Sequence, residues 1–170
     1  ALIAAIDTAI VIAVVILCGW HPLRMPRPSP RRQMVAYLGS IAVLTGLLAL
    51  NVTYHQLLRE TLLLPPLVDE LTKPLTWLVL ATYCIQPAIV EEAFCRGFAL
   101  GALRPLVGSG AAIWISAIMF GLLHIAVPLS IPYLIVLGAA LGYLRVNSGS
   151  LILPVVVHFA HNLAIIWIDS

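Results

Sequence analysis

The sequence predicts an all-α protein: a polytopic membrane helix bundle of about six transmembrane helices, four of which form a core. Three observations carry that reading. Of 170 residues, 62% are hydrophobic and only 9% charged, with mean hydropathy +1.07, whereas soluble domains carry about 25% charged residues. Apolar stretches recur at the length a spanning helix needs, about 20 residues. The basic residues gather at alternate ends of those stretches, as membrane topology requires.

The expected spans are about 1–19, 34–52, 74–103, 110–127, 131–146 and 151–168. Together they make one membrane domain, 1–170, with a core at 74–168. Residues 1–73 supply two accessory spans and an outer loop. The first residue is Ala, which leaves open a natural N-terminus further upstream and an additional span; no cleavable signal peptide is expected in the stretch given. Between the first two spans, "HPLRMPRPSPRR" holds Arg24, Arg27, Arg31 and Arg32 with no acid among them, which marks the cytoplasmic side. Alternation then puts Arg104 and Arg145 on that side too. The loop 53–73 falls outside, where acids offset bases: Arg59, Glu60, Asp69, Glu70, Lys73. Within it, "PLVDELTKP" reads as a solvated connector or a short interfacial helix.

The third span is too long for one straight crossing, and Pro87 falls inside it. A break there frees backbone groups close to the charged pair that follows. The fifth span is short and begins behind Pro132. Cys18, Cys84 and Cys95 form no CxxC pair and lie in apolar stretches, so they read as small buried hydrophobes. A net charge of +2, clustered at loops, gives no sign of a nucleic-acid partner. The partners implied are the lipid bilayer and whatever the buried polar groups act on.

Those groups are few. Away from span ends stand Glu91, Glu92, Arg96, His124, His158 and His161. Each charge at mid-bilayer costs at least about 2.5–3.5 kcal/mol on the insertion scale, so such residues face a bundle interior and are functional candidates by default. Counting about 1.5 Å per residue from the cytoplasmic ends places Glu91, His124 and Asn162 at roughly 20, 21 and 18 Å, with Arg96 and His158 at roughly 12 Å. Three separate helices thus deliver polar groups to overlapping depths, which argues for one site.

In "AIVEEAFCRGF", Glu92 and Arg96 are four apart and share a helix face, so they pair as a structural clamp. Glu91 points about 100° away and lacks that partner, which suits it to act as a base near neutral pH. "FGLLH" puts Phe120 and His124 on one face. "HFAHN" does the same for His158 and Asn162, with His161 beside them; its plain reading is a hydrogen bond to a neighbouring helix or carbonyl.

"EEAFCRG", "FGLLH" and "HFAHN" together resemble the EExxxR, FxxxH and HxxxN motifs of the CPBP (CAAX protease and bacteriocin-processing) intramembrane proteases. That family includes the type II CAAX prenyl endopeptidases and the bacterial Abi-type proteins. The resemblance covers about residues 74–168; Cys95 stands where the family often has an aromatic. It implies an intramembrane endopeptidase with a four-helix catalytic core. Glu91 would activate water with His124, His158 and Asn162 would stabilise the oxyanion, and Glu92 with Arg96, beside Phe120, would brace the site. It also implies a peptide or protein substrate, prenylated in the CAAX case. The expected setting is a bacterial cytoplasmic membrane, with the site nearer the cytoplasmic side. No metal is the favoured reading. A zinc-dependent metalloprotease is the alternative mechanism, since Glu and His are zinc ligands, but HExxH is absent. Outside enzymology, a membrane scaffold or immunity protein and a proton or ion carrier are the rivals.

Overall fold

The computed structural model describes residues 8–9, 11–13, 16, 25–63 and 76–168. Most of the expected first span and all of "PLVDELTKP" lie outside the described residues. All regular structure among the described residues is helical. Helix α1 runs Pro30–Leu62, 33 residues, opening on a proline in its first turn and closing at Leu63 in the left-handed conformation. A long helical run, Trp77–Leu122, is interrupted at Gly108, whose φ of 81° is open to glycine. It therefore comprises two helices, α2 (77–107) and α3 (109–122). After a turn and a short 3₁₀ segment, Pro128–Ser130, come α4, Ile131–Ser148, and α5, Ile152–Ile168. Three runs are long and apolar enough to cross a membrane, Pro30–Leu62, Trp77–Leu122 and Pro128–Ser148, with Ile152–Ile168 a shorter apolar helix.

Two boundaries differ from expectation. The second span continues through Arg59 and Glu60 to Leu62, so about the first half of the expected outer loop is helix; "TYHQLLRETL" holds no glycine or proline to stop it. The fourth span was expected to reach 127 but ends at Leu122 and gives way to turns, with His124 N–H bonded to the Gly121 carbonyl and Val127 N–H to the His124 carbonyl ahead of Pro128. At 14 residues, α3 is only about 21 Å long, short of the ~30 Å hydrocarbon core. His124 therefore lies in a turn past the end of a half-length helix. Irregular backbone at membrane depth is tolerated where it lines a cavity.

Helix α4 packs against α1, α3 and α5. Its contact with α3 is made close by small residues, as in membrane helix pairs generally. A Cβ at Gly138 would meet Arg96 Nη2 at 3.0 Å and Ala117 Cα at 3.1 Å. Helix α2 is not uniformly α: π-helical stretches at Leu80–Ile85 and Ala93–Ala99 flank the α segment Gln86–Glu92. Wide turns of this kind recur at functional sites. Here they bracket both glutamates. Thr8, from the N-terminal segment, accepts a hydrogen bond from Gln86 Nε2 at 3.1 Å, which ties that segment to α2.

Candidate active site

The floor of the site is a buried ion cluster. Glu92 and Arg96 are both fully buried, and Arg96 Nη1 donates to Glu92 Oε1 at 2.6 Å. Nη2 of the same guanidinium donates to the Gly138 carbonyl at 2.9 Å, and its carbon lies 4.4 Å from the centre of the Phe120 ring. The i,i+4 clamp expected from spacing is present and cross-linked to α3 and α4. Phe120 carries it as a cation–π support. One element of the cluster does not follow from spacing. His158, on α5, is buried and donates from Nδ1 to Glu92 Oε1 at 3.1 Å, so Glu92 holds Arg96 and His158 together.

Glu91 and His124 meet above this floor. Glu91 Oε2 and His124 Nε2 are 3.8 Å apart, and Oε2 makes no hydrogen bond among the described residues. His124 Nδ1 donates to the Phe120 carbonyl at 2.9 Å. A carbonyl only accepts, so the neutral ring presents Nε2 as an acceptor toward Glu91.

Asn162 is held by two contacts. Its amide Nδ2 donates to the Tyr83 carbonyl at 3.1 Å. Pro87 lacks the N–H that would serve this carbonyl in an α-helix; the break anticipated at Pro87 thus supplies a docking point for α5. Its Oδ1 faces His161 Nδ1 at 3.2 Å. His161 Nε2 contacts the Tyr133 hydroxyl of α4, which lies 3.2 Å from the Leu47 carbonyl of α1. A neutral His161 that donates from Nδ1–H to Asn162 Oδ1 accepts at Nε2 the single Tyr133 O–H proton, which is then not shared with the Leu47 carbonyl. It leaves the Asn162 NH₂ facing Tyr83 and the cavity. The interhelical bond expected of His161 is present; its grip on Asn162 was not anticipated.

These groups line a cavity of about 480 Å³ that includes Glu91, His124, His158, His161 and Asn162. Sequence reasoning passed over Asn51, His55, Ser130 and Tyr133, which line it too. His55 Nδ1 donates to the Asn51 carbonyl, and its Nε2 lies 3.0 Å from Ser130 Oγ, joining α1 to the start of α4. The only signal in the sequence is a histidine one turn after an asparagine, where the second expected span, 34–52, gives way to the expected outer loop, 53–73. Arg145 also departs from expectation. It was placed on the cytoplasmic rim, but it is buried and donates to the Arg96 carbonyl at 3.4 Å.

The cavity lining comes from the later part of α1, the earlier parts of α2 and α4, the turn after α3 and the later part of α5. As for a metal, among the described residues no three His, Cys, Asp or Glu side chains gather to hold one. The site's carboxylates and imidazoles come together as the Glu91–His124 and Glu92–His158 contacts.

An all-helical membrane chain with Glu91, four histidines and two asparagines lining one cavity, and the Glu92–Arg96 pair buried beside it, fits the class of polytopic membrane hydrolases. Residues 73–164 match the family described as type II CAAX prenyl endopeptidase Rce1-like. The chain belongs to that family and is an intramembrane endopeptidase in general terms, with a peptide or protein substrate. No curated protein and no solved structure matches it.

Proposed function

We propose that the chain hydrolyses a peptide bond within or beside the bilayer, using water activated by Glu91 and His124. The observation that carries this reading is the Glu91–His124 pair: two acceptors 3.8 Å apart at the cavity wall, one of them a carboxylate oxygen with no hydrogen bond among the described residues. A water donating one proton to each turns a lone pair outward. Glu91 takes a proton as the hydroxide adds to the scissile carbonyl carbon, and the carbonyl oxygen becomes an oxyanion. His158 Nε2–H and Asn162 Nδ2–H donate to that oxygen, a contribution of about 2.7–4 kcal/mol for one preorganised donor. Collapse breaks the C–N bond, and Glu91 returns its proton to the departing amine.

Charge accounting favours a protonated His158. Its Nδ1 proton is committed to Glu92, so Nε2 donates only in the imidazolium. Glu91 and Glu92 as anions, with Arg96 and His158 as cations, sum to zero. The sum stays zero when Glu91 is protonated and the oxyanion forms. A neutral set throughout suits a low-dielectric site, where an uncompensated charge is costly. The catalytic core in this scheme is 74–168, with Glu92, Arg96 and Phe120 as its brace.

The test is to compare protein N-termini in cells making the wild-type chain with those making Glu91→Gln. New N-termini should appear with the wild type alone; identical sets overturn the scheme. Metal content and chelator response of the purified protein separate this mechanism from the zinc alternative. The expected result is substoichiometric zinc and activity that survives chelation.

A further inference from the structure

We infer that the chain holds an anionic glycerophospholipid in a second cavity, between the start of α1 and the end of α4. This cavity measures about 720 Å³ and shares no lining residue with the catalytic one. Its occupation is independent of the cleavage chemistry.

The two ends of the cavity differ in character. Ser29, Arg31 and Arg32 from α1, with Tyr143 and Asn147 from α4, form a polar rim. Further along the same helices, Val35, Gly39, Val43 and Ala140 line an apolar trough. Arg32 and Val43 are about 17 Å apart along α1 at 1.5 Å per residue. That is close to half of the ~30 Å hydrocarbon core, so the trough runs from head-group level toward the middle of the bilayer. Such a reach fits an acyl chain from one leaflet. A Cβ at Gly39 would meet nothing within 4 Å, so the wall there is bare backbone against which a chain can lie.

The rim carries positive charge with nothing to neutralise it. Arg31 and Arg32 are exposed and make no ion pair among the described residues. No acid occurs within 24–32 or 143–151, the stretches that supply the rim. The Ser29 hydroxyl makes no capping hydrogen bond and remains a donor. Guanidinium groups bind phosphate bidentately, and basic pockets between membrane helices take anionic head groups. A zwitterionic head group brings its own cation, which two arginines repel; an anionic one leaves negative charge for them to neutralise. A free phosphate would satisfy the rim and leave the trough empty. The union of basic rim and apolar trough therefore selects a lipid.

Native mass spectrometry tests this without relying on activity. The full chain is released from mixed micelles holding phosphatidylglycerol and phosphatidylcholine in equal amounts. The wild type should retain phosphatidylglycerol in preference by about thirtyfold, the worth of two arginines at a membrane surface. Arg31→Gln combined with Arg32→Gln should abolish that preference. Arg27→Gln removes a charge from the same loop but lies outside the cavity lining, and should leave the preference unchanged. Should the double variant fail to fold, Gly39→Leu decides: it keeps both arginines, fills the trough, and should cut retained phosphatidylglycerol severalfold. Equal retention of the two lipids by the wild type overturns the inference. So does an unchanged preference in the double variant, or unchanged retention in Gly39→Leu. An equal loss from Arg27→Gln overturns it as well, since the loop would then attract lipid diffusely. Displacement of the lipid by inorganic phosphate alone, or a second copy of the chain found in its place, is equally fatal.

Discussion

Adjacent glutamates with unlike surroundings should respond differently to the same substitution. Glu92→Gln keeps the shape of the side chain but removes the charge that holds Arg96 at 2.6 Å and His158 at 3.1 Å. Breaking a buried ion pair from one side costs about 3–5 kcal/mol. Arg96 retains the Gly138 carbonyl and the Phe120 ring, which places the loss at the lower end, about 3 kcal/mol. For a chain of this size each kcal/mol moves Tm by about 2–4 °C, so the midpoint should fall by about 6–12 °C. Glu91→Gln removes no hydrogen bond to the described residues through Oε2. Its stability cost should stay within about 0.5 kcal/mol, as for substitutions away from such networks. Its turnover should drop by about 10²–10⁴, the usual worth of a positioned general base. The assay is thermal unfolding in detergent or nanodiscs, paired with cleavage of a substrate found through the N-terminus comparison. Equal Tm shifts with equal activity losses would refute the division of labour between clamp and base.

Two further outcomes follow from the same contacts. His158→Ala should abolish nearly all turnover, while His161→Ala, which only loosens the Asn162 amide, should keep at least about a tenth, a barrier change of no more than roughly 1.4 kcal/mol; purified-enzyme kinetics on folded mutants decide the order. Gly138→Ala should cost about 1–3 kcal/mol of stability by overpacking, since its Cβ would meet Arg96 Nη2 and Ala117 at 3.0–3.2 Å; an unchanged Tm would show that the α3–α4 contact yields easily.

Features set by local geometry were legible in the sequence. The Glu92–Arg96 pair needed only a four-residue spacing, and the division of α2 from α3 follows from Gly108 just after Pro105. The consequence of Pro87 was half visible: the freed Tyr83 carbonyl could be anticipated, its capture by Asn162 could not. What escaped depends on the register between helices. His158 reaches Glu92 because α5 lies beside α2 at one height, and His161 reaches Tyr133 for a like reason across α4. Charge at Arg59 and Glu60 suggested a loop, but a helix emerging from a bilayer carries charge at its end without stopping. His55 was passed over because it fell in the expected outer loop 53–73; it acquires meaning only once α1 continues to Leu62 and brings it beside its neighbours on other helices.

Helix α1 lies entirely outside the matched residues 73–164, yet Asn51 and His55 form part of the cavity wall, and the Leu47 carbonyl meets Tyr133. Part of the chamber wall is thus encoded outside the segment that carries Glu91, His124, His158 and Asn162. Changes confined to α1 can widen, narrow or repolarise that part of the chamber while Glu91, His124, His158 and Asn162 stay in place. A lineage could therefore acquire new substrates by altering one helix, and a designer could retarget the chain by grafting that helix from a relative.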